Sequence, residues 1–102
     1  VDSDSATYMQ EVGSYQTRPQ VSAHNVMAFG ETAYAAYYQD GVRVLDLSDP
    51  SNPRLKAYYN TWKPSTAIGS KFEGALGIDV DLDKGLIYVA DYPRGLLVLR
   101  IL

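Results

Sequence analysis

Two stretches of this chain carry one pattern. Ala33-Tyr-Ala-Ala-Tyr-Tyr-Gln-Asp-Gly-Val-Arg-Val-Leu-Asp-Leu47 returns as Ile87-Tyr-Val-Ala-Asp-Tyr-Pro-Arg-Gly-Leu-Leu-Val-Leu-Arg-Ile101, at a constant offset of 54 with no gap. Tyr34/Tyr88, Ala36/Ala90, Tyr38/Tyr92, Gly41/Gly95, Val44/Val98 and Leu45/Leu99 are identical. Each copy reads as a strand, a glycine turn and a second strand, which is a β-hairpin. A second echo sets Glu11-Val-Gly-Ser-Tyr-Gln-Thr17 against Leu55-Lys-Ala-Tyr-Tyr-Asn-Thr61, at an offset of 44. Self-similarity at this period, built from short strands, predicts an all-β fold of propeller blades, each a four-stranded antiparallel sheet.

Alternation and turn signals place strands near Tyr8–Gln16, His24–Phe29, Thr32–Tyr38, Val42–Leu47, Arg54–Asn60, Leu76–Asp81, Leu86–Asp91 and Leu96–Ile101. Within a blade the strands run a, b, c, d from the central channel outward. The hairpins are b and c, so Tyr8–Gln16 and Arg54–Asn60 take the d position. The order d-a-b-c-d-a-b-c amounts to about two blades of an incomplete ring. This divides the chain into a flexible segment 1–7 and one propeller portion 8–102. The portion comprises an outer strand at 8–17, a blade at 24–60 and a blade lacking its outer strand at 76–102. Bare edges at Tyr8–Gln16 and Leu96–Ile101 would invite strand addition. Either the chain is the carboxy-terminal piece of a longer propeller, or three copies exchange the Tyr8–Gln16 strand and form a six-bladed homotrimer. Divergent surface residues in the two halves favour the piece.

Composition narrows the function classes. The net charge of −3, with Lys and Arg scattered, argues against nucleic-acid binding by phosphate neutralisation. No apolar run approaches the ~20 residues of a membrane-spanning helix. The acidic start Val1-Asp-Ser-Asp-Ser-Ala6 does not resemble a signal peptide. Cysteine is absent, which removes disulfides, thiolate catalysis and cysteine zinc sites. Nine tyrosines against two phenylalanines suit β-strands and also suit surfaces needing apolar area with a polar tip.

From Gly41-Val-Arg-Val-Leu-Asp-Leu-Ser-Asp-Pro-Ser-Asn-Pro53 the chain resembles the LVIVD repeat family, whose repeats follow this glycine-to-proline pattern into an outer strand. His24-Asn25, Ala33-Tyr34 and Tyr38-Gln-Asp-Gly41 also match. The resemblance is strong over 11–61 and partial over 74–101, where Arg100 and Ile101 stand in place of the Asp-x-Ser-Asp-Pro turn. It implies a β-propeller, exported or associated with the cell surface or periplasm, without an established catalytic activity. Independently of the family, Asp46 and Asp49 fit Asx-turns, and Arg43 is placed to pair with an acid of an adjacent blade.

Candidate chemistry is sparse. His24 and Asp79 fall on the inferred channel strands, with Asn25 and Asp81, and make a thin oxygen-rich set for a divalent cation such as calcium. There is no nucleophile elbow and no phosphate-binding glycine loop, so no catalytic residue is assigned. A recognition surface remains. Tyr37, Tyr38 and Asp40 in one hairpin turn match Asp91, Tyr92 and Arg94 in the other, and Tyr and Arg are favoured at binding hot spots. Trp62 belongs to the same candidate surface, and with Phe72 it bounds an unusually long connection that the two are placed to anchor. The sequence therefore reads as a non-catalytic binding or interaction scaffold, with a metal-centred, lactonase-like hydrolase as the alternative. Its partners are further blades, further copies, or a protein or small-molecule ligand.

Overall fold

The structure, a computed structural model, describes residues 9–70 and 72–102. The expected segment 1–7 lies outside the described residues. Strands β1 (Asn25–Phe29), β2 (Thr32–Ala36), β3 (Val42–Asp46) and β4 (Arg54–Tyr59) form one antiparallel meander. β5 (Gly74–Asp81), β6 (Leu86–Tyr92) and β7 (Gly95–Arg100) form a three-stranded second sheet in the same order. Seven of the eight expected strands are present within two residues of their expected ends. Among the described residues the fold is all-β, and its two sheets fit two blades of an incomplete propeller with no closed ring.

The exception is the first strand. Residues 9–17 form no strand. A d strand is held by hydrogen bonds to the c strand of its own blade, and no such strand stands beside this segment. It lies instead on the first sheet. Gly13 is packed so closely on Pro50 that a Cβ would overlap the proline carbonyl oxygen. Tyr15 accepts a hydrogen bond from the Tyr37 hydroxyl at 3.3 Å, and Thr17 reaches Asp40. Pro50 and Asp40 sit at opposite ends of β3, so the segment runs antiparallel to β3 and in the same sense as β4.

The alternation of β2 explains this arrangement. Tyr34 and Ala36 point to the second sheet, where they join Val42, Ala75, Ile78, Ile87 and Val89 in the main core. Ala35 and Tyr37 point the other way and pack with Val21 and Tyr15 of the amino-terminal segment. A strand covered on both faces reads as a near-continuous apolar run, as Ala33–Tyr37 does. Val42 and Val89 are fully buried, and each such side chain contributes about 1.5–3 kcal/mol of transfer free energy.

Two features set the geometry of the hairpin turns. Tyr38 has a positive φ of 46°, a conformation costing a non-glycine residue roughly 1–2 kcal/mol. It is held there because its N–H and carbonyl both bond Ala75, each at 2.9 Å, which joins the first turn to the start of β5. Gly41 has φ 69°, and a Cβ there would strike the Tyr59 carbonyl oxygen at the end of β4. Glycine is required on both counts.

Candidate functional site

The two b–c turns and the long connection between β4 and β5 meet at one end of the sheets, and every candidate recognition residue lies there. Most are engaged internally. Asp40 is buried; it accepts from Thr17 Oγ1 at 2.5 Å and Arg18 Nε at 3.1 Å, and pairs with Arg18 Nη2 at 2.9 Å. Its repeat counterpart, Arg94, donates from Nη1 to the Thr61 carbonyl at 2.9 Å. Thr17 and Thr61 are themselves counterparts at the offset of 44. An acid in one repeat and a base in the other thus do the same work: each clamps a turn to the end of the preceding outer segment. Tyr37 is buried against Tyr15. Asp91 is buried and caps its own turn by accepting from the Arg94 N–H at 3.2 Å.

The long connection is ordered by a residue that the sequence reading did not single out. Glu73 is completely buried. Its carboxylate accepts from the Trp62 indole N–H at 3.2 Å and from the Ile68 backbone N–H. One side chain therefore ties the start, the middle and the end of the connection together, around a 3-10 turn at Pro64–Thr66. Trp62 is an anchor, as expected. Phe72 contributes differently, resting edge-on against Tyr38 at 5.4 Å while staying 64% exposed. Gln39 adds a bond from Nε2 to the Ser70 carbonyl at 3.1 Å. A glutamate just before a strand has no sequence signature of burial, so only the indole eleven residues upstream hinted at a partner.

Apolar side chains remain open at this end among polar ones. Ile68, Phe72 and Tyr92 are exposed, and Trp62, Tyr38 and Arg94 are partly so.

The two candidate metal ligands do not converge. His24 precedes β1, and its Nδ1 donates to the Leu76 carbonyl at 2.6 Å while its ring meets Tyr38 at 5.3 Å. Asp79 lies three residues along β5 from Leu76, beside Asp81 and Asp83 and toward Phe29, the far end of β1. Its Oδ1 accepts from the Val80 N–H. Among the described residues no group of three or more His, Asp or Glu side chains is placed to hold a metal ion.

The Ser-Asp-Pro segment behaves as an Asx device. Asp46 accepts from the Ser48 N–H at 2.9 Å and Asp49 from the Ser51 N–H at 3.0 Å. Hydrogen bonds from Ser48 hold the Asp46 carboxyl below the ordinary aspartate range, assisted by Arg54 and Lys56, and those from Ser51 do so for Asp49, assisted by Arg54. Among the described residues Arg43 pairs with no acid of another blade. It donates from Nε to the Asp40 carbonyl at 2.8 Å and lies 4.7 Å above the Tyr58 ring, because its side chain faces the amino-terminal segment rather than the second sheet.

The fold and these turn devices define a β-repeat module of the propeller-blade kind. More particularly, residues 22–61 match the LVIVD repeat, spanning the whole first sheet and the turn cluster that closes it. No curated protein and no solved structure matches the chain. Among the described residues no helix is long and apolar enough to cross a membrane.

Proposed function

We propose that this chain is a non-catalytic interaction scaffold that presents the turn end of its sheets to a partner. The observation that carries this reading is the fate of the polar groups there. Asp40, Glu73, Asp91 and Arg94 are spent on holding turns, while Ile68, Phe72 and Tyr92 are left to solvent on a braced surface. A rigid rim of apolar and aromatic side chains suits a binding face, because little side-chain or loop freedom is lost on contact. The partner is a protein segment or a small apolar ligand, and an exported or surface-associated setting accords with the family's usual context.

The test pairs binding with turnover. A peptide and glycan array probed with the purified chain should show ligands whose capture is lost in Phe72→Ala and Tyr92→Ala and kept in Leu82→Ala, an exposed site in the β5–β6 turn at the other end of the sheets. Steady hydrolysis of p-nitrophenyl esters, phosphates or simple lactones, abolished by His24→Ala or Asp79→Ala, would overturn the reading in favour of a metal-centred hydrolase.

A further inference from the structure

The two sheets pack by one rule, and that rule leaves a matching half-interface at each end of the molecule. On the first sheet the face turned to the second is built from Tyr34, Ala36, Val42 and Val44. Shifted by 54, these positions become Tyr88, Ala90, Leu96 and Val98. They form the face of the second sheet turned away from the first, and Leu96 is 69% and Val98 54% exposed. The same chemistry is thus a core on one sheet and a bare apolar surface on the next.

The edge beside that face is open too. β3 is paired on both sides, with β2 and β4, whereas among the described residues β7 is paired with β6 alone. A groove of about 600 Å³ runs between β7 and β4, and its charged side chains, Lys56 and Arg100, are both cations. Gly95 repeats the contrast. Its counterpart Gly41 lies hard against the end of β4, yet a Cβ on Gly95 would meet nothing within 4 Å.

The molecule also holds a piece of the right kind to fill this space. Residues 11–17 echo β4, have no ladder partner and lie on the first sheet in the sense of a d strand. Glu11 is the only charged residue from 9 to 17, which suits a largely apolar groove whose two charged side chains are cations.

We infer that β7 and the Tyr88–Val98 face bind a second copy of this chain, whose residues 10–15 add a fourth strand to β7. The contact repeats the packing of the first sheet on the second. It is head-to-tail, and such interfaces close into rings when the rotation allows. Transferring the β3–β4 register by the two offsets sets Leu96 opposite Tyr15, Leu97 opposite Ser14, Val98 opposite Gly13, Leu99 opposite Glu11 and Arg100 opposite Gln10. Propellers of about four to eight blades would take two to four copies. Ile68 and Phe72 lie off this contact, whereas Tyr92 continues the Tyr88–Ala90 row of β6 onto it, so Phe72→Ala, rather than Tyr92→Ala, separates the failure of one idea from the failure of the other.

The native chain lacks cysteine, which makes a cross-link unambiguous. Full-length Gln10→Cys/Arg100→Cys protein, oxidised and run without reductant, should form covalent multimers, since directly opposed strand residues bring their Cβ atoms to about 4.5–5.5 Å. The out-of-register pair Ser14→Cys/Arg100→Cys should stay single. Light scattering of the unmodified chain should give two to four times 11.3 kDa, falling to one copy in Leu96→Asp/Val98→Asp with an unchanged β-sheet circular dichroism spectrum. A single-copy mass at every concentration up to about a hundredfold above a micromolar Kd, or equal cross-linking by both cysteine pairs, overturns the inference.

Discussion

Replacing Glu73 by alanine tests whether the long connection is built on one carboxylate. The substitution orphans two donors at once, the Trp62 indole N–H and the Ile68 N–H. Hydrogen bonds to a charged acceptor contribute about 1.5–3 kcal/mol each. Desolvating the carboxylate offsets part of this, but truncation leaves the donors behind in a site from which Glu73 itself is wholly excluded from water. The net loss should be about 3 kcal/mol, a large share of the roughly 5–15 kcal/mol that stabilises a domain. Glu73→Gln keeps the volume and one acceptor oxygen but turns an amide N–H₂ toward the other donor, so about half that loss is expected. Trp62 is the only tryptophan, and its fluorescence reports the contact directly. Urea titration followed by that emission should give a lower midpoint for Glu73→Ala, with a red-shifted native baseline and faster amide exchange at Ile68. A midpoint and emission maximum indistinguishable from the parent would refute the reasoning.

Tyr34 and Tyr88 are the same residue in the same place of the repeat, yet at protein concentrations where the chain is single Tyr34→Ala should cost about 3 kcal/mol and Tyr88→Ala under about 1 kcal/mol; equal denaturation midpoints would contradict the assignment of the faces. Asp46 and Asp49 have folded-state carboxyls held below their ordinary value, so their contribution is present above about pH 4 and is lost as pH falls through the lowered folded value. The double variant Asp46→Asn/Asp49→Asn should accordingly flatten the acid limb of a stability-against-pH curve between pH 4 and pH 2 (roughly the carboxylate range), and an unchanged slope there would count against it. His24→Ala should lower stability by about 1 kcal/mol through the lost Leu76 bond, and neither calcium nor EDTA should move the melting temperature of the parent; a calcium-dependent shift abolished by His24→Ala would restore the metal reading.

The strands were legible because both signals that mark them are local: alternation within β2 to β7 and glycine or proline between them. The amino-terminal segment shows where locality fails. Its residues echo β4 closely enough to predict a strand, but strand pairing is a property of two segments, and the partner is not beside it. The turn residues show a second limit. Asp40 and Arg94 differ in charge and read as recognition residues, and the structure gives both the same internal task because each grips a different atom of equivalent threonines. Glu73 shows a third. A carboxylate is buried only where donors converge, and the Ile68 N–H and the Trp62 indole converge through the path of a loop that periodicity does not describe.

The identities at the offset of 54 have a narrower meaning than shared architecture. Tyr34/Tyr88, Ala36/Ala90 and Val44/Val98 all fall on the face that one sheet offers to the next, whereas on the opposite face only Leu45/Leu99 is kept and Ala33/Ile87, Ala35/Val89 and Arg43/Leu97 differ. The two faces meet different neighbours. The Ile87–Leu99 face packs on a complete sheet and is filled with large aliphatics, while the Ala33–Leu45 face is covered by a single segment and uses small residues with Tyr37 and Arg43. A conserved face paired with a variable one is what a stacked repeat needs when its neighbours differ: one side keeps a constant surface, and the other adapts to what covers it. On the second sheet the constant surface is the uncovered one, and Gly95 keeps beside it the clearance that Gly41 uses.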